Sequence, residues 1–450
     1  MQRSLPGQKL LSVKKRPDGC GRSYLGDEHQ TSPSVTLDRR ELIGTLGALA
    51  ATRLLGDDGA PAAMPQPGAA FPRKADFAIP AGTTYLNAAY THPIPRVSAV
   101  AARTAAERRS AALPAPSGVE SPKTLFARLI NARPSEIAHV SSTSAGENLV
   151  MRALGLDHRR DGNVVTDGLH FEGALMHLDA LRRDGLDVRV VKPTPDARIE
   201  MRDLERVIDK NTRLVQVSAA AMYNGFQHDL KAVAELAHAQ GALVYVDIVH
   251  AAGAEPLDVK ATGIDFAACS SFKWLMGDFG LGFLYAREEA WDRITRPVVG
   301  YYQASDIEPL YPPALPGGTY EPVRYAFNRS AAGFFEMGSL TGSAEAMVAL
   351  LATSLAYVHS LGVANIQAHR LPLIRRLQQE VPRLGFAAMT PSASTAGNVT
   401  FARKGLLESD IPKRLAAAGV QVRLASNWMR ISPSVYNDMS DIERLLEALA

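Results

Sequence analysis

The stretch FAACSSFKWLMGDFGLGFLY, Phe266 to Tyr285, holds one lysine, Lys273, among apolar and small residues. A lysine amine is costly to bury unless something uses it. FAACSSF and GFLYA on either side read as strands, so Lys273 falls at a strand end. Asp247 closes another apolar strand, in YVDIVHAAG, 26 residues before the lysine. A carboxylate buried there needs a cation or several donors.

The surrounding segments alternate between strand and helix patterns. NVVTD (Asn163 to Asp167), VRVVKP, LVQVSAA and ALVYVDIVHAAG read as strands. FEGALMHLDALRRDG, DLERVIDKN and DLKAVAELAHAQG read as helices, the first closed by Gly185 and the last by Gly241. Such alternation implies βαβ units, an α/β class and a largely parallel sheet. Ligands then sit beyond the carboxyl ends of the strands. Near Thr341 the pattern changes. SAEAMVALLATSLAYVHSLG, HRLPLIRRLQQEVPRLG and SDIERLLEALA read as helices, and NVTFAR, QVRLA and MRISP as short strands. The expected organisation is a leader over residues 1–70, a large domain over 76–340 and a smaller α+β domain over 341–450. Residues 76–100 join the body at the domain junction.

SSTSAGEN, Ser141 to Asn148, brings hydroxyls and free backbone N–H groups to a helix N-terminus, which suits a phosphate. The same letters also read as a plain capping motif completed by Glu147. Taken with an amine and a buried carboxylate, they suggest pyridoxal 5′-phosphate (PLP). Lys273 would form a Schiff base with it. Asp247 would keep the pyridine nitrogen protonated, making the ring an electron sink. Thr143, Ser144 and Ser270 would bind the phosphate.

Four pieces in order, YLNAAYTHPIP, SSTSAGENLV, VDIVHAAG with SSFKWLMGDFGLGFLY, and MRISPSVYNDMSDIERLLEAL, resemble the class V aminotransferase group of fold-type I PLP enzymes. That group holds cysteine desulfurases, kynureninases and isopenicillin N epimerase-like proteins. The resemblance runs from about Asp76 to Ala450. It implies a mainly parallel seven-stranded sheet, a PLP cofactor and a homodimer. By position, Lys273 is similar to the Schiff-base lysine and Asp247 to the pyridine partner. His250 matches the residue near the phenolic oxygen, and Thr143, Ser144 and Ser270 match the phosphate ligands. Ser339, in FEMGSL, matches the segment that reaches the neighbouring subunit's phosphate. Arg430 matches the clamp on the substrate α-carboxylate, with Arg423 as a second substrate arginine. Phe171 in LHFEGAL is the expected ring-stacking residue, with His170 second. Tyr301 is placed to approach the pocket from the partner chain.

Departures from the group shape the functional reading. Phe272 stands where a histidine often precedes the lysine. The usual asparagine after Ser218-Ala219 is missing, and Asn224 in the MYNG turn is the expected replacement. QVRLASNWMR lacks the cysteine that a desulfurase uses as nucleophile, while Cys269 lies in an apolar strand. Persulfide transfer is therefore disfavoured. The expected activity is PLP chemistry at Cα of an amino acid or amine, begun by Lys273 as base. The resemblance leans to the epimerase-like branch or to transamination. The alternatives are a C–S or β-elimination lyase without a catalytic cysteine, and a PLP-binding regulatory protein without turnover.

The 450-residue chain is 46% hydrophobic and 21% charged, with net charge +3, as in an ordinary soluble protein. No dense basic block follows the leader, so nucleic-acid binding has no support. Two cysteines build neither a disulfide framework nor a Cys-based zinc site. His170 and His177 lack a third ligand at useful spacing, so no metal is expected. Arg39-Arg40 precede a weakly apolar run too short to span a bilayer, and Ala60-Pro61-Ala62 follows. This resembles a twin-arginine export signal, which implies a periplasmic or otherwise exported protein with no membrane attachment after cleavage; the alternative is a disordered tail on a cytoplasmic protein.

Overall fold

The computed structural model describes residues 63–114, 119–158, 161–308, 324–338 and 345–450. The twin-arginine leader, Cys20 and Ser339 lie outside them. Seven strands form the main sheet: β1 (Ile137–Val140), β2 (Asn163–Asp167), β3 (Asp187–Val191), β4 (Thr212–Ser218), β5 (Leu243–Asp247), β6 (Phe266–Ser270) and β7 (Gly282–Ala286). Their spatial order is β1-β7-β6-β5-β4-β2-β3. Only β7 runs against the others, pairing antiparallel with both β1 and β6. The mixed α/β fold with a mainly parallel sheet is the expected one.

Strand residues alternate between two cores. Val244 and Val246 of β5 pack into one core, with Val215, Val217 and Phe283. Leu243 and Tyr245 pack into the other, with Leu214, Phe266 and Leu284. Burial on both faces explains why these strands read as continuous apolar runs. Helix α1 (Thr143–Ala153) follows β1 and lies close on the sheet. A Cβ on its Gly146 would stand 2.8 Å from the Ala268 Cβ. Helix α2 (Glu172–Arg183) follows β2, with Phe171 at its N-cap.

A second sheet is antiparallel, in the order β8-β9-β11-β10. Its strands are β8 (Ala387–Ala388), β9 (Val399–Ala402), β10 (Arg423–Ala425) and β11 (Trp428–Ile431). Helices α3 (Glu345–Leu361) and α4 (Val363–Glu380) precede it, joined at Gly362, whose φ of 76° favours glycine. Helix α5 (Met439–Leu449) closes the chain. Phe401, Met429 and Ile431 share a core with α4 and α5. QVRLA is split: Val420–Gln421 pairs with Thr84–Tyr85, and only Arg423–Ala425 joins the second sheet. The segment around Thr84–Tyr85 then bridges the two sheets. Asn87 pairs with Ser432, and the His92 N–H donates to the Phe272 carbonyl at 3.0 Å. Among the described residues no single helix is long and apolar enough to cross a membrane.

The close approach of α1 gives a direct test. Gly146→Val forces extra carbon against Ala268, and overpacking of this kind costs about 1–3 kcal/mol. The denaturant midpoint should fall accordingly, with an unchanged slope; an unchanged midpoint would show that α1 moves aside freely.

Candidate active site

The turn from β1 into α1 is stitched to the end of β6. The Thr143 N–H donates to Ser270 Oγ at 2.9 Å, and the Ser270 N–H donates to Thr143 Oγ1 at 3.0 Å. Ser142 caps the helix by accepting from the Ala145 N–H at 3.1 Å. The hydroxyls of Thr143, Ser144 and Ser270 therefore meet at a helix N-terminus beyond the strand ends, where an anion is favoured.

These residues line one side of a cavity of about 140 Å³, which Lys273, Asp247, His250, Phe171 and Ser218 also line. Lys273 follows β6, and its Nζ lies 3.0 Å from His250 Nε2. Burial lowers the Lys273 amine to about 8; Asp247 opposes the shift and Arg430 adds to it. His250 is held well below its ordinary value by burial first, then by Lys273 and Arg430. A neutral His250 accepts from the lysine and leaves its Nδ1–H, which is buried without a partner. Asp247 is buried at the end of β5, and its Oδ1 accepts the Val249 N–H at 2.9 Å. Burial raises the Asp247 carboxyl, with His170 and Lys273 opposing. A single hydrogen bond is a poor shell for a buried carboxylate, so the other oxygen is matched to a cationic donor.

His170 is buried too, its Nδ1 on Ser218 Oγ at 2.8 Å and its Nε2 without a partner. Phe171 lines the cavity. Arg430 is buried on β11; its Nη1 donates to the Met222 carbonyl at 3.0 Å and its Nε has no partner. Met222 lines the cavity, which connects Arg430 to it. Burial lowers Arg430 to about 10, with Arg423 contributing.

Asn224 does not fit its expected role. Its Nδ2 donates to the Ala197 carbonyl at 2.8 Å and to the Met389 carbonyl at 3.3 Å, and its Oδ1 accepts the Phe226 N–H at 3.1 Å. The buried amide is spent on holding its own turn. Ser218 was missed as a lining residue; its signal was its place at the end of β4, in register with Asp247. Tyr301 is 71% exposed and stands apart from this chain's cavity. Cys269 is fully buried, and burial pushes its thiol up strongly. Among the described residues no three His, Cys, Asp or Glu side chains group as metal ligands.

An enclosed amine, a half-satisfied buried carboxylate, an unpartnered imidazole N–H and a hydroxyl cradle form a donor set that fits PLP. Lys273 would hold the aldehyde carbon, Asp247 the ring nitrogen, and Thr143, Ser144 and Ser270 the phosphate. Comparison with known proteins agrees. The Aminotransferase class-V family model matches residues 96–445. A probable cysteine desulfurase of Methanothermobacter thermautotrophicus is 30% identical over 353 residues, covering 75% of this chain and 83% of that protein. The uncharacterised aminotransferase YcbU of Bacillus subtilis is 26% identical, over 72% of this chain and 81% of its own. The apo structure of a cysteine desulfurase from Thermococcus onnurineus superposes with a TM-score of 0.70 at 23% identity, covering 85% and 98% of the two chains. The desulfurase and aminotransferase names do not point to the epimerase-like branch. With the family model spanning most of the chain and the cofactor cradle in place, the chain belongs to the class V aminotransferase family and is a PLP-dependent enzyme.

Proposed function

We propose that this enzyme is a lyase that removes a β-substituent, sulfur first among them, from an amino acid without a cysteine nucleophile. The observation that carries this reading is the hairpin between β10 and β11. Ala425 pairs with Trp428, so the turn is only Ser426 and Asn427. The frame is one found in proteins named desulfurases, yet no loop here can deliver a thiol. A leaving group must then depart on its own.

PLP, when bound, supplies a sink for the electron pair left at Cα. The chain's own groups do the rest. Arg430 binds the α-carboxylate and fixes its orientation. Lys273 takes the Cα proton, which its lowered amine does in the neutral form. His250, neutral and 3.0 Å away, aims that amine. The Cβ–S pair leaves with sulfur, and water converts the remaining carbon skeleton to pyruvate and ammonia. Pyruvate and ammonia should therefore appear in equal amounts from cystine or S-alkyl cysteines, with no persulfide on the protein. Alanine and a protein-bound persulfide from cysteine would contradict the proposal. Turnover of no amino acid would favour the regulatory alternative.

The lysine gives a pH test. An amine lowered to about 8 is neutral above that pH and protonated below it. Capture of PLP by the apoprotein needs the neutral amine, so its rate should rise with a midpoint near 8. A midpoint near 10.5 would show an unshifted lysine.

The reading includes a homodimer. Val299, Tyr301, Tyr302, Tyr325 and Met337 are all at least half exposed around the hairpin of Ala304–Glu308 and Arg324–Phe327. An apolar patch of this kind marks an interaction surface. Sedimentation should give twice the chain mass, and Tyr301→Asp with Tyr302→Asp should give single chains.

A further inference from the structure

Arg423 and Arg430 stand directly opposite each other on β10 and β11. Directly opposed residues on antiparallel strands share a face, with Cβ atoms about 5 Å apart, and like charges so placed repel. No acidic side chain forms a salt bridge with either arginine among the described residues. The shared face is the one turned toward the cavity. Thr400, opposite Arg430 on its other side, donates to the Tyr223 carbonyl at 2.8 Å. Trp428 packs against the Tyr223 ring at 5.9 Å, and Arg430 reaches the Met222 carbonyl. The alternate residues Phe401, Met429 and Ile431 face the core instead.

Arg423 is exposed on this face, with its guanidinium 5.3 Å from the Tyr90 ring centroid. Tyr90 belongs to the segment that bonds to Phe272, a cavity residue. Arg423 is thus held against a segment that bonds to a cavity residue, opposite Arg430 and without an acidic partner among the described residues. Among the described residues, Asp247 is the only acid that lines the cavity. The α-carboxylate of a substrate satisfies Arg430 and leaves Arg423 unmatched.

We propose that Arg423 is a specificity residue for a second anionic group, so that the substrate is an α-amino acid with an acidic side chain. The inference rests on the amino-acid reading of the site given above. In the elimination, the second acid lies on the departing sulfur substituent. With S-carboxymethylcysteine, the Cα–H and Cβ–S bonds break, Lys273 takes the proton, and sulfur leaves with the electron pair as thioglycolate. Water completes the products as pyruvate and ammonia.

The test uses the PLP-loaded full chain, titrated with S-carboxymethylcysteine and its neutral amide, S-carbamoylmethylcysteine, while the cofactor absorbance is followed. The acid should bind at least about tenfold more tightly, equivalent to about 1.4 kcal/mol. In Arg423→Gln the ratio should fall to near one, and Arg423→Lys should restore part of it. A band that responds equally to both compounds, or a preference that survives Arg423→Gln, overturns the inference and leaves the amino-acid site intact. A band that responds to no amino acid overturns both.

Discussion

Everything in this site depends on enclosing one amine. Lys273 sits where a strand ends, with its Nζ 3.0 Å from a buried imidazole and a buried carboxylate nearby. Burial alone would expel the charge, and it lowers the amine to about 8. The result is a lysine with a far larger neutral fraction near physiological pH than an ordinary lysine has, and the neutral form is the one a nucleophile and a proton acceptor both need. Asp247 balances it: the carboxylate favours the charged lysine, while its own burial calls for a cation. Asp247 would hold the ring nitrogen of PLP, and a protonated ring nitrogen there would meet the carboxylate's need for a cation and leave the amine free to react.

The fold holds that amine from two sides. β5 and β6, adjacent and parallel within the sheet, bring Asp247 and Ser270 to the same carboxyl end. The second sheet closes the other side. Trp274, next to the lysine, is so tightly packed that a Cβ on Gly397 would stand 2.4 Å from its ring. The buried Arg370 lies 5.2 Å from the Trp274 ring centroid. The lysine loop therefore cannot shift without disturbing β9 and α4. Interiors this dense transmit strain rather than absorb it, which explains how a small cavity keeps its geometry.

Much of this was legible in the sequence, because strand periodicity and chain order fix which residues reach the carboxyl ends. Asp247, Ser270 and Lys273 follow from that, and the Thr143 turn, a plain cap when read by itself, gains its meaning from them. Side chains in turns are harder to read, since an asparagine can serve a ligand or its own backbone equally well. Asn224 serves its backbone, and only its three hydrogen bonds reveal this. Ser218 has no motif of its own and becomes visible only through its register with Asp247. The opposition of Arg423 and Arg430 required the hairpin register, which a two-residue turn sets. Neither a residue type nor a spacing announces it.

The most direct measurement is the absorbance spectrum of the purified protein between about 330 and 430 nm, the region of PLP bound through a lysine, before and after borohydride. The same scan on Lys273→Ala completes it. The expected result is a yellow band that borohydride bleaches and that Lys273→Ala lacks. A colourless protein that added PLP does not restore, or a band unchanged by Lys273→Ala, would contradict the role given to the lysine.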